Sequence, residues 1–167
     1  NTGSNGTNDY TNSSNGLAKH FYTYERSDNT GKMCSSGSYC TDTVERTTTW
    51  TGKVGLMYPS DYGYATSGGS TTDRAACLNK ELNSWDSSSV SDCKNNDWLY
   101  NSSSAQWTIS PFAHSSDANY AFYVNYTGPV NNNYVFGGIG VRPVVYLTSN
   151  VGVQSGDGSL GNPFILG

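Results

Sequence analysis

The stretch FYVNYTGPVNNNYVFGGIGVRPVVYL, residues 122–147, changes character along its length. From Phe122 to Gly138 it mixes Tyr, Phe and Asn with small residues, a composition that suits an exposed contact surface. From Val141 to Leu147 it reads as a buried strand. With residues 107–110 as a second core wall, the residues between, 114 to 139, are expected to be held as a displayed face on a rigid platform.

Working outward, the 167 residues are most simply one domain, long enough to bury about 70% of the surface of the unfolded chain. Residues 1–16 are almost entirely Asn, Gly, Ser and Thr and are expected to form a flexible linker or arm, leaving 17–167 as a single domain. Charged residues make up only 13%, nine Lys and Arg against thirteen Asp and Glu. Without a basic cluster, no nucleic-acid partner and no anionic-membrane contact is expected. No apolar run approaches the roughly 18 residues of a membrane span, and NTGSNGTNDY lacks the order of a signal peptide. An export signal or anchor is therefore expected to lie outside these residues.

Cys34 and Cys40 flank SSGSY, while Cys77 and Cys93 bracket about one helix and a loop. Four cysteines allow three connectivities, among which short loops favour 34–40 and 77–93. Neither His20 nor His114 lies in a zinc-type pattern with a cysteine, and no metal or cofactor is expected. Two disulfides imply an oxidising setting outside the cytoplasm.

HFYTYE, residues 20–25, reads as a first strand, and WTGKVGLMY places Trp50, Val54, Leu56 and Tyr58 at strand spacing until Pro59. One main helix is expected in TTDRAACLNKELNSW, capped by Thr72 or Asp73, with Leu78, Leu82 and Trp85 facing the core. Short strand-like runs then follow, separated by Ser, Asn, Gly and Pro. The order is α+β: short twisted antiparallel strands, one main helix and extensive loops.

Sequence motifs for metalloprotease, phosphate-loop, nucleophile-elbow and dinucleotide chemistry are all absent. Asp61 in YPSDYGYA and Asp97 in NNDWLY sit among aromatics as sugar-subsite acids do. PSDYGY is nevertheless expected to be a turn whose Asp bonds its own backbone. Asp157 in SGDGSLGNP is expected in a Gly-rich turn rather than a calcium loop. Arg142, placed in an apparently buried strand, is expected to clamp loop carbonyls or a carboxylate.

GLMYPSDYGYA, a Cys-bracketed helix, DWLY, QWTISP, a Tyr/Asn-rich stretch, GVRPVVYL and GDGSLGNPF follow one another over about residues 50–166. This order resembles the C-terminal domains of bacterial pilin-like and other surface proteins. Those domains have a C-type-lectin-like fold in its formylglycine-generating-enzyme form, in which a Trp-containing strand and a GVRP-type strand flank a displayed loop region. The resemblance implies structural roles for Trp107 and Arg142. No cysteine follows Cys93, so the copper-dependent activity of that family is not implied. The tripeptides of calcium-dependent sugar-binding lectins are also missing. In some proteins of this fold a retroelement diversifies the displayed segment by mutating adenines, turning Asn codons into Tyr, Ser, Asp, His, Phe and Gly. HSSDANYAFYVNYTGPVNNNYVFGG, residues 114–138, consists largely of that set.

The expected function is therefore a non-enzymatic, adhesin-type recognition domain on a bacterial surface, with a protein or glycan as ligand. Its expected ligand-binding residues are His114, Asn119, Tyr120, Tyr123, Asn125 and Tyr126, then Asn131, Asn132, Asn133, Tyr134 and Phe136. Alternatives are a structural pilin-like subunit that buries these aromatics against neighbouring subunits, and a carbohydrate-active enzyme using Asp61 or Asp97.

Overall fold

The computed structural model describes residues 16–26, 32–33, 39–40, 51–112, 119–145, 147–157 and 161–167. Trp50, His114, the Cys34–Cys40 pairing and the expected arm up to residue 15 lie outside the described residues or side chains.

Residues 20–25 are helical rather than extended: α1 spans Ala18–Arg26. Leu17, Phe21 and Glu25 recur every four residues, and all three are buried, so this buried face has the helical and not the strand period. Beside them, Ala18 packs so close to Gly63 that a Cβ there would stand 2.6 Å from the Ala18 Cβ.

Two short strands, β1, Lys32–Met33, and β2, Tyr39–Cys40, pair antiparallel after α1. The expected strand before Pro59 shrinks to β3, Gly55–Leu56, with Val54 exposed. Pro59 opens α2, Pro59–Ala65, where its missing N–H costs nothing. Asp61 does bond local backbone, accepting from Tyr58 N at 2.8 Å, but as part of this helix start rather than of an isolated turn. Glu25, reaching across from α1, accepts from Ser60 N at 3.3 Å and from the Ser60 hydroxyl. Both carboxylates thus favour the positive end of α2.

The single main helix is divided. Asp73 caps α3, Arg74–Leu78, accepting from Ala76 N at 2.7 Å. Glu81 is extended, and Leu82–Ser84 form a 3-10 turn in which Leu82 N donates to Gly16 O at 2.8 Å. A tertiary hydrogen bond has displaced the local helical one. Leu82 and Trp85 are nevertheless fully buried, while Leu78 is half-buried. A further short helix, α4, spans Ser91–Asn95, and its buried Cys93 forms a disulfide with Cys77 of α3.

The main sheet has the order β4, Gln106–Phe112; β5, Tyr120–Val124; β6, Val130–Tyr134, all antiparallel. Gln106, Thr108, Phe122, Val124 and Val130 face the core with Met57, Tyr62 and Trp85. The 141–147 segment is not a core wall. Among its described residues, β7, Pro143–Val144, pairs with β3. Val144 packs on the core, whereas Val141, Val145 and Leu147 are exposed, because alternation buries one face of a two-residue ladder. The last strands, β8, Val153–Ser155, and β9, Ile165–Leu166, form a hairpin with exposed apolar side chains. The architecture is thus α+β, with several short helices and antiparallel strands.

Candidate functional site

Of the segment expected to be displayed, residues 120–134 form a β-hairpin, β5 and β6. Its turn is pinned to the body carbonyl by carbonyl: Tyr100 Oη donates to Tyr126 O at 2.7 Å, Lys94 Nζ to Thr127 O at 2.7 Å, and Tyr62 Oη to Gly128 O at 2.6 Å. Gly128 has a φ of 114°, a left-handed value suited to glycine. Tyr62 is itself buried against Trp85, their ring centroids 5.1 Å apart, and burial pushes its phenol far above the ordinary range. These three donors lie 26 to 66 residues from the carbonyls they hold, so no local pattern announces them.

The hairpin divides the expected site residues between the two faces of its sheet. Tyr123, Asn131 and Asn133 lie on the outer face with Trp107 and Ile109, as strand parity and register require. Trp107 and Tyr123 are half-buried and meet edge to face at 6.0 Å. Burial of the Tyr123 phenol raises its pKa, and neighbouring Tyr126 adds to the shift. Tyr120, Asn132 and Tyr134 belong to the opposite parity. There the rings continue outward from the core: Phe21 touches Phe122 (centroids 5.2 Å apart), Phe122 touches Phe112 (5.3 Å), and Phe112 touches Tyr120 (6.0 Å). Tyr120 meets Tyr134 at 4.1 Å, and Tyr134 stacks on Phe136 at 5.0 Å. Phe122 is 2% exposed and Phe136 78%. Asn119 is exposed at the open end, its carbonyl accepting from Val135 N at 2.9 Å. Asn125 and Tyr126 belong to the pinned turn.

Among the described residues, β6 is an outer strand of this sheet. The bonds from Val135 N to Asn119 O and from Asn125 N to Pro129 O set the alternation of bonded pairs, so the N–H groups of Asn132 and Tyr134 point away from β5. The preceding side chains cover them. Asn131 Oδ1 accepts from Asn132 N at 2.9 Å, and Asn133 Oδ1 from Tyr134 N at 2.8 Å. Edge donors satisfied in this way are poor templates for another strand.

The two candidate acids have structural surroundings. Asp61 belongs to the start of α2. Asp97 is buried, and its Oδ1 accepts from Leu99 N at 2.8 Å, while its buried Oδ2 has no hydrogen-bond partner. Burial pushes its pKa up to about 8, against the pull of the Leu99 and Tyr100 amides and of Arg142. Arg142 is half-exposed rather than buried and donates from Nη1 to Trp98 O at 3.4 Å, which keeps the expected carbonyl clamp in a weaker form. Trp98 itself, 74% exposed, is a residue that sequence reasoning passed over. Desolvation and Lys19 lower the pKa of His20, which lies on α1.

Among the described residues, no group of three or more His, Cys, Asp or Glu could hold a metal ion, and no helix is long and apolar enough to cross a membrane. No protein-family model, curated protein or solved structure matches the chain.

Proposed function

We propose that the protein is an extracellular recognition domain of the adhesin type, whose β5–β6 hairpin meets a ligand displayed on another surface. The carrying observation is the ring-to-ring chain from Phe122 to Phe136, which supports a large exposed aromatic on a fixed base. Interfaces concentrate energy in such anchors, and pre-organisation lowers the entropy lost on binding. The Cys77–Cys93 disulfide favours an oxidising compartment. The covered edge donors of β6 weigh against a filament subunit that polymerises by adding strands to this edge. A C-type-lectin-like fold and retroelement diversification of residues 114–138 remain part of this reading on the strength of the sequence resemblance.

The test is labelling of intact bacterial and animal cells with the fluorescent protein. Phe136→Ala is expected to reduce labelling at least tenfold with unchanged melting. Labelling that survives both Phe136→Ala and Tyr134→Ala would overturn the recognition reading.

A further inference from the structure

Asn-x-Ser/Thr occurs at four places in the chain, Asn5, Asn12, Asn101 and Asn125. In an exported protein this tripeptide is the acceptor pattern for N-linked glycans. In a chain so rich in Asn, Ser and Thr its number means little, and the folded surroundings decide. Asn5 and Asn12 lie outside the described residues. The other two form Asx turns: Asn101 Oδ1 accepts from Ser103 N at 2.9 Å, and Asn125 Oδ1 from Thr127 N at a longer 3.4 Å. Tyr100 Oη donates to Tyr126 O at 2.7 Å, so the fold brings the two tripeptides side by side. Their access differs. Asn125 is locked into the hairpin, its N donating to Pro129 O and its carbonyl accepting from Gly128 N, both at 2.9 Å. The carbonyls of Tyr126 and Thr127 are held by Tyr100 and Lys94, and Asn125 and Thr127 are half-buried. Ser102 and Ser103 are exposed and Asn101 is half-buried. Among the described residues, the hydrogen bonds of residues 101–103 stay within their own turn.

We infer that Asn101 is a covalent modification site, the attachment point of an N-linked oligosaccharide, and that the neighbouring Asn125 is not one in the folded protein. The donor class is an oligosaccharide carried on a lipid diphosphate and delivered by an oligosaccharyltransferase. The Asn101 Nδ2 attacks the anomeric carbon of the first sugar. A C–N bond forms as the C–O bond to the phosphate breaks, the lipid diphosphate leaves with the electron pair, and Nδ2 gives up one proton to a base of the enzyme. The bond from Ser103 N to Oδ1 draws electron density from the amide, which eases loss of that proton. It also folds the chain so that the Ser103 hydroxyl, which the acceptor pattern requires, comes round towards the amide. The enzyme must draw the acceptor chain into its own site. Residues 101–103 can be lifted at the cost of their local turn, whereas Asn125–Thr127 cannot be lifted without breaking the bonds that pin the hairpin. Five residues of β5 separate that turn from Tyr120, about 17 Å at strand spacing. A glycan beside Tyr100 therefore occupies the end of the sheet away from the Tyr120, Tyr134 and Phe136 rings. The inference rests on the recognition reading only for placing the chain outside the cytoplasm.

Glycopeptide mass spectrometry of the protein taken from the cells that make it provides the test. A second arm transfers glycan to the purified, folded protein with an oligosaccharyltransferase and a lipid-diphosphate donor. Sugar is expected on Asn101 in both, with occupancy in the transfer reaction at least tenfold above that of Asn125. Ser103→Ala should lower transfer to Asn101 at least tenfold, and Ser103→Thr should keep it. Both Ser103 variants retain the backbone N–H that bonds Asn101 Oδ1, so they keep the test decisive should Asn101→Gln fail to fold. Bare Asn101 in the cell-derived protein, equal transfer to Asn125, or transfer that survives Ser103→Ala would each overturn the inference. Cell labelling that depends on Phe136, by a protein whose Asn101 is bare, would remove the glycan site and leave the recognition reading standing.

Discussion

The rings of Tyr134 and Phe136 lie 5.0 Å apart and 21° from parallel, so the most exposed aromatic of the hairpin rests on a neighbour that itself meets Tyr120 at 4.1 Å in a tilted contact. Position along this chain of rings sets the cost of truncation. Phe122→Ala, in the core, should destabilise by about 3 to 5 kcal/mol, whereas Phe136→Ala should stay within about 0.5 kcal/mol. Urea denaturation of the two variants measures the contrast; equal losses would mean that Phe136 is a core residue in solution.

Asp97 should make stability depend on pH. Its folded-state pKa of about 8 lies above the usual 3.8, so its contribution is greatest below pH 4 and is lost as the pH rises towards 8. Asp97→Asn should therefore stabilise by at least about 1 kcal/mol at pH 8.5 and change little at pH 4. Arg142→Ala should raise the Asp97 pKa further by removing an attracting cation, while Tyr62 and Tyr100 stay neutral across this range. Thermal melts from pH 4 to 9 on all three proteins provide the check; a flat difference between wild type and Asp97→Asn would refute the assignment.

Reducing Cys77–Cys93 should lower stability by about 3 kcal/mol, the chain-entropy value for a loop of this size. Both sulfurs belong to fully buried residues, so reduction should be slow until the protein opens. Peptide mapping without reductant checks the bond and also reads the expected 34–40 pairing. Four free thiols would remove the chemical ground for an oxidising compartment.

Replacing both Asn131 and Asn133 with Ala uncovers the outward N–H groups of Asn132 and Tyr134. The double variant should associate more strongly than the wild type in sedimentation velocity at high concentration, because an open strand edge pairs readily. Equal sedimentation would show that these side chains do not guard the edge.

Local pattern was enough wherever one residue acts on its sequence neighbours. A cap at Thr72 or Asp73, the short-loop preference for Cys77 with Cys93, the burial of Leu82 and Trp85, and strand-like runs at QWTIS and NYAFYVNY all come from spacing and residue type, and the structure places Asp73, the disulfide, β4 and β5 there. Tertiary structure decided the rest, because there the competing partner is distant in sequence. Gly16 O claims Leu82 N and breaks the helix in two, and Glu25 reaches Ser60 to support a helix where Pro59 reads as a strand end. HFYTYE is too short for its period to be recognised until Phe21 and Glu25 have a core to face. Composition marked the Tyr/Asn-rich segment as an expected contact surface. Its division into two faces was not legible, since that requires the register of β5 against both neighbours, and a shift of one residue would exchange Tyr123 with Phe122.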